Sequence, residues 1–401
     1  MPLPKGAQPP DIVGKPSRRL GPGGHESRAF WKVHFPGAAF DEEGANAVFL
    51  DAPMRDVATL ERICRDLPKA DLHLHLDGSV RPKTLVELSE KGLRKVDLAS
   101  AERKMRVSPD NRSLVDYLTR FSFVNTYLQT PEALGRVTRE LVADCAAENV
   151  RIAEIRFCPL LHTLQGASPE AILAGVLDAF AAASKEHNLK GGIIVCALRE
   201  QPADSSQQLA ELAVKYKDKG VIALDLAGNE ADHGTKNVLL AFDAAGNAGL
   251  RRIAHAGEAD GPESIRSAID VLKAERIGHG TRLLGDAKLT AEIAQRGIPL
   301  EVCLTSNVQT RAVSDYATHP FCRYLRAGVR VTINTDNRTV SNTNSSHELA
   351  LAWFYGELTR DELKKLVLNG AAASFITADE KTAAHEEFES GFEAVLAKVR
   401  N

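Results

Sequence analysis

Long apolar runs are missing from this 401-residue sequence. None approaches the roughly 20 consecutive apolar residues a membrane helix needs, so no membrane span is expected. An excess of one charge is missing too: 50 Lys and Arg face 53 Asp and Glu, for a formal net charge of -3. That balance gives no bulk attraction to nucleic acid or to an anionic bilayer, and suits small neutral ligands better than polyanions. Cysteine pairs of the Cys-x-x-Cys type are absent. The six cysteines are scattered at Cys64, Cys145, Cys158, Cys196, Cys303 and Cys322, several inside apolar runs such as Ile194-Val195-Cys196. Buried, reduced thiols of a cytoplasmic protein are expected, not a disulfide scaffold. Residues 1–28 are rich in Pro and Gly and carry no apolar core of a secretory signal. Their prolines also oppose the amphipathic helix of a transit peptide. Residues 1–55 therefore read as a flexible or loosely packed arm, and 56–401 as one domain. No internal repeat is visible, and the pattern carries no sign of an oligomeric state.

What is present is ordinary in bulk and specific in detail. Hydrophobic residues make up 44% and charged residues 26%, normal for a globular protein. From about residue 69, short apolar segments alternate with longer amphipathic ones. Strands are expected at 70–75, 150–157, 192–198, 221–226, 250–256, 276–279, 299–303 and 329–334. Helices separate most of them, for example at 169–187, 206–217 and 261–273. Such alternation implies parallel strands joined by helical crossovers. Eight units fit a (β/α)8 TIM barrel, with a helical insertion after strand 1 at about 76–149. A doubly wound open sheet also fits the alternation. The strand count, and polar residues at strand C-terminal ends, favour the barrel.

Those strand ends carry the chemistry. Strand 1 ends in Asp71-Leu72-His73-Leu74-His75-Leu76-Asp77-Gly78. His73 and His75 are two apart, hence on one face of a strand. Alone, such a pair serves equally well as hydrogen-bonded structural histidine. Strand 5, however, ends in His255-Ala256-Gly257-Glu258, strand 6 in Gly278-His279-Gly280, and strand 8 in Thr335-Asp336-Asn337. A barrel gathers these ends on one face. A mononuclear site of His73, His75, His255 and Asp336 follows, with a donor set that suits Zn2+ and does not exclude iron or another divalent ion. A metal there lowers the pKa of a bound water. His279 is left to take a proton from that water or to hold the hydroxide. Glu258 is left to give a proton to a substrate ring nitrogen. Strand 4 ends in Asp225-Leu226-Ala227-Gly228-Asn229-Glu230, without the modified lysine that commonly bridges two metals at this place in binuclear barrel hydrolases. One metal is expected. In the insertion, Leu114, Tyr117, Leu118 and Phe121 share a helix face at i, i+3, i+4, i+7. That face is either ordinary core or an apolar lid over the barrel mouth.

Taken together, these motifs, in order from about Leu67 to Asn369, resemble the adenosine deaminase family of the amidohydrolase superfamily. The resemblance implies a zinc barrel that hydrolyses the 6-amino group of a purine nucleoside. It implies zinc on His73, His75, His255 and Asp336, protonation of purine N1 by Glu258, and assistance to hydroxide attack at C6 by His279. It places substrate contacts at the Gly228 N–H (N3), at Asp77 (the ribose 5′-hydroxyl), at Asn337 (N7) and beside the ligand His75. It makes Leu114, Tyr117, Leu118 and Phe121 the apolar gate. Many members carry Asp where this chain has Asn337. An Asn amide donates to N7 without needing protonation. Asp77 stands where adenine-specific relatives carry Glu, which favours a ribosylated substrate: adenosine, 2′-deoxyadenosine or a 5′-modified adenosine such as aminodeoxyfutalosine. Adenine remains an alternative, and a noncatalytic purine-binding barrel is disfavoured because Glu258 and His279 are both present.

Overall fold

The computed structural model describes residues 56–90 and 94–399, and the arm expected at 1–55 lies outside the described residues. The described chain opens with α1 (Val57–Asp66), capped by the Asp56 carboxylate on the Thr59 N–H. It then enters β1 (Lys69–His75). Four helices follow before the next strand: α2 (Pro82–Glu90), α3 (Leu98–Met105), α4 (Leu114–Asn125) and α5 (Pro131–Ala146). Next come β2 (Val150–Phe157), α6 (Pro169–His187), β3 (Lys190–Leu198), α7 (Ala203–Lys215) and β4 (Val221–Ala227). After them run α8 (Leu239–Asn247), β5 (Arg251–Ala256), α9 (Pro262–Asp270), β6 (Arg276–His279), α10 (Ala287–Arg296) and β7 (Leu300–Val302). The chain closes with α11 (Leu304–Gln309), α12 (Phe321–Arg326), β8 (Val331–Ile333), α13 (Ser345–Gly356), α14 (Arg360–Ala373) and α15 (Ala378–Val399).

The eight strands are parallel and paired in sequence order. The circle closes beyond β8, where Asp336 donates its N–H to the His73 carbonyl at 2.8 Å and accepts the His75 N–H at 2.7 Å. The fold is thus the expected (β/α)8 barrel with helices inserted after β1. No helix among the described residues is long and apolar enough to cross a membrane.

Several expected boundaries move for local reasons. β7 begins after Pro299, which has no N–H for the ladder, and stops where Cys303 becomes the N-cap of α11. β8 starts late because the Val329 N–H is bonded to the Tyr324 carbonyl, 2.9 Å, in the turn leaving α12. The helix expected at 261–273 ends at Asp270, since Lys273 takes a left-handed φ of 56°. The helix expected at 206–217 starts three residues earlier, at Ala203, immediately after Pro202.

The barrel interior holds charge as well as hydrocarbon. The Arg156 guanidinium bridges Asp225 and Glu301, both at 2.9 Å. Arg276 bridges Glu154 and Glu301, both at 2.6 Å. All five side chains are essentially fully buried. Buried charges of this kind persist only when paired and hydrogen-bonded. This pairing links β2, β4, β6 and β7 and forms a rigid floor beneath the strand ends.

Candidate active site

β1 sets His73 and His75 on one face, with ring centroids 5.4 Å apart. His75 Nε2 lies 3.3 Å from His255 Nε2 and 3.4 Å from Asp336 Oδ1, while His73 Nε2 lies 3.5 Å from the same oxygen. Two ligands about 2.0–2.1 Å from a tetrahedral ion stand about 3.3–3.4 Å apart, so these spacings match a divalent cation's coordination shell. His73 Nε2 is fully buried and has no hydrogen-bond partner. An orphaned imidazole nitrogen facing a carboxylate and two further imidazoles fits a metal better than any protein group nearby. Donor atoms of His73, His75 and Asp336 form one close group, and those of His73, His255 and His279 a second.

The other imidazole nitrogens are held from behind. His73 Nδ1 bonds Glu301 Oε2 at 2.8 Å, and His255 Nδ1 bonds Asp225 at 3.2 Å. These carboxylates keep each Nδ1 protonated and each Nε2 free to ligate. Burial raises the pKa of Asp336, but the His73 and His75 rings that face it outweigh that and hold it well below the usual range. Burial, then the neighbouring His73 ring, pushes His279 well below the ordinary histidine value. Asp336 and His279 both occupy left-handed backbone, at φ 61° and 63°. Such conformations cost about 1–2 kcal/mol per residue and concentrate at functional sites.

Glu258 follows His255 through Gly257, whose φ of +72° permits the turn. A Cβ at Gly257 would meet Ile265 Cδ1 at 2.4 Å. The Glu258 carboxyl accepts the Thr310 hydroxyl at 3.0 Å and stands 3.5 Å from His279 Nε2. Burial and the charges of Asp336 and Glu230 push its pKa up to about 8. A carboxyl held there is mostly protonated at neutral pH. The loop itself is pinned by Glu230, whose carboxylate accepts the N–H groups of Gly257, Glu258, Ala259 and Asp260 at 2.6–3.2 Å.

Above these groups lies a cavity of about 420 Å³, within the usual range of small-molecule sites. Its lining includes Asp77, Leu114, Tyr117, Leu118, Phe121, Gly228 and Asn337 together with His75, His255, Glu258, His279 and Asp336. The α4 face therefore covers the barrel mouth and is more than ordinary core. Leu114 and Tyr117 are buried, and Leu118 and Phe121 half-buried. The Tyr117 hydroxyl shares a 2.7 Å hydrogen bond with Ser341. Burial pushes Asp77 up to about 6. Asn337 packs against Gly78, where any Cβ would sit 1.8 Å from the Asn337 Oδ1.

Sequence reasoning placed none of Glu301, Arg156, Thr310, Asn307 or His319 in the site, and used Asp225 and Glu230 only as parts of a motif. One signal was available. Glu154 and Arg156 alternate within an apolar strand, and Glu301 stands between Leu300 and Val302. A charge inside a buried strand demands an internal partner.

The adenosine deaminase family profile matches residues 68–390. A protein of Clostridium kluyveri named adenosine deaminase is 38% identical over 339 residues, covering 84% of this chain and 97% of its own. Among solved structures, adenine deaminase from Arthrobacter aurescens superposes with a TM-score of 0.76 at 28% identity, covering 81% of this chain and 98% of its own. The N6-methyl-AMP deaminase of Arabidopsis thaliana superposes with a TM-score of 0.73 at 28% identity, covering 82% and 98%.

Proposed function

Because the chain belongs to the adenosine deaminase family, a family of hydrolases acting on C–N bonds, we propose that it hydrolyses adenosine and 2′-deoxyadenosine to inosine and deoxyinosine with release of ammonia. The observation that carries this reading is one cavity with two ends. Its floor joins the His73, His75, His255 and Asp336 donors to the protonated Glu258 carboxyl. Its outer part is apolar, carries Asp77, and is lined by no Lys or Arg among the described residues. A nucleoside suits that lining. A 5′-phosphate, as in the substrate named for the Arabidopsis neighbour, would meet carboxylates without a cation.

His73, His75, His255 and Asp336 would hold the metal, with Zn2+ as the proposed ion and one ion per chain. When bound, it lowers the pKa of the attacking water. The chain's own groups do the rest. Glu258 donates its proton to purine N1, which makes C6 more electrophilic. His279 directs its Nε2 toward the attacking oxygen. The Gly228 N–H is assigned to N3, the Asn337 amide to N7 and the Asp77 carboxylate to the 5′-hydroxyl. Leu114, Tyr117, Leu118 and Phe121 cover the ribose and exclude bulk water. Six free, buried cysteines fit a cytoplasmic setting.

The second reading is another 6-aminopurine. Adenine is favoured by the Arthrobacter neighbour's name, and aminodeoxyfutalosine by an acid at position 77. The test is an ultraviolet absorbance assay of adenosine, 2′-deoxyadenosine, adenine, AMP and aminodeoxyfutalosine, each with and without a chelator. Adenosine and deoxyadenosine turn over fastest, and chelation abolishes the signal until zinc is restored. Inert adenosine and deoxyadenosine with metal-loaded protein would refute the first reading.

A further inference from the structure

His279 faces the site through Nε2, and two opposite roles are open to that nitrogen: removing a proton or donating a hydrogen bond. Which one is available depends on where the ring carries its own proton. We propose that Asn307, fixed in turn by His319, is a positioning residue that holds His279 as the Nε2–H tautomer, so that His279 donates into the site and accepts no proton there. The proposal rests on the deaminase reading only for the identity of the oxygen that receives this bond.

The direction of the chain is set by a group with no choice. The Phe321 backbone N–H can only donate, and it lies 3.2 Å from His319 Nδ1. His319 Nδ1 therefore accepts and carries no proton. Burial pushes the His319 pKa down to about 3, so the ring is neutral and its one proton is on Nε2. That Nε2–H lies 3.1 Å from the Asn307 side chain and must meet its oxygen. The Asn307 Nδ2 then faces His279 Nδ1, at 3.0 Å. An amide nitrogen donates and has no lone pair to offer. His279 Nδ1 accepts, and the ring's proton is left on Nε2.

The frame around this relay is stiff. His279, Asn307 and His319 are all buried. Asn307 sits in the first turn of α11, its N–H bonded to the Cys303 carbonyl at 2.9 Å and its carbonyl accepting the Val313 N–H at 3.1 Å. The His279 backbone is in left-handed conformation and leaves the ring edge aimed at Glu258 and the metal-binding imidazoles. A donor held at that edge stabilises negative charge on an oxygen nucleophile, as oxyanion-binding donors do.

The test is a spectrum before it is an assay. In metal-loaded, substrate-free protein labelled with 15N-histidine, two-bond 1H–15N spectra report the tautomer of each ring. His279 is assigned by the signal lost in His279→Gln. The expected result is an unprotonated Nδ1 and a protonated Nε2, and a proton on Nδ1 overturns the proposal. Asn307→Asp replaces the amide donor by an acceptor, which reverses the tautomer and lowers kcat by roughly 100-fold with KM little changed. A folded Asn307→Asp protein with the original tautomer and kcat also overturns it. If that variant fails to fold, His319 supplies the alternative. His319→Gln can still donate to the Asn307 oxygen and keeps the tautomer, whereas His319→Leu loses it. An unchanged tautomer in folded His319→Leu overturns the role of His319. If wild-type protein turns over no purine, the deaminase reading fails while the spectrum still decides the tautomer.

Discussion

A carboxyl group that keeps its proton at neutral pH is costly to build and useful to an enzyme. Glu258 is built that way by burial and by neighbouring Asp336 and Glu230. Replacing it by Gln keeps the shape and removes the transferable proton. Glu258→Gln should lower kcat by roughly 10²- to 10⁴-fold while metal content, measured by elemental analysis, stays at the wild-type level. Retention of kcat in a metal-loaded variant would exclude Glu258 as the proton donor. Asp77 makes a different kind of prediction, because it is assigned to the sugar and not to the reacting ring. A hydrogen bond to a charged group contributes about 1.5–3 kcal/mol. Asp77→Leu should therefore raise KM for adenosine roughly 10- to 100-fold and leave adenine turnover almost unaffected, as steady-state kinetics on both substrates will show. The proposed donors and Glu258 could be grouped from the sequence because each lies near or just beyond the C-terminal end of a strand, and a barrel sends all those ends to one face. Glu301 and Asn307 were not. Their roles depend on which strand lies beside which, at what register, and no single segment encodes that.

Elements differ in how plainly the chain announces them. β2, β6 and α6 begin and end where their patterning predicts, since each is bounded by residues that break its own period. β7 and β8 span three residues each, too few for any period to define. α11 starts directly from Cys303 and carries no amphipathic signal, yet it delivers Asn307 and leads into Thr310. The loop from β5 to α9 shows how one residue can govern an element. Four consecutive backbone N–H groups and the Ser264 hydroxyl all donate to the Glu230 carboxylate. Glu230→Gln removes the charge and turns an amide donor against that row of donors. The expected loss is about 1.5–3 kcal/mol in urea denaturation. A fall in kcat should accompany it, because the pinned loop carries Glu258. A variant as stable and as active as wild type would show that the loop holds its shape without this carboxylate.

At the scale of the whole molecule, burial of neutral histidines links stability to pH above the carboxylate range. His162 is buried, with Nδ1 donating to the Leu128 carbonyl at 2.7 Å and Nε2 unpartnered. Burial holds its pKa down to about 4, against 6.5 for an ordinary histidine. The folded protein therefore binds this proton less readily than the unfolded chain does. The stability that His162 contributes is complete above pH 6.5 and is lost as pH falls from 6.5 toward 4. At pH 5 the loss from this residue alone is about 2 kcal/mol. The paired carboxylates have the same sign in a lower window. Arg156 and Arg276 overcome the burial of Glu301 and hold its pKa below the ordinary 4.5, so its contribution is lost only as pH falls below 4.5. Acid weakening should thus begin near pH 6.5, before the charged floor of the barrel is touched. Urea denaturation of metal-loaded protein at pH 7.5 and pH 5 measures the total loss. His162→Leu carries no titratable ring, so the difference between the two pH values should shrink by about 2 kcal/mol relative to wild type. An identical difference in both proteins would mean that His162 takes up its proton without unfolding.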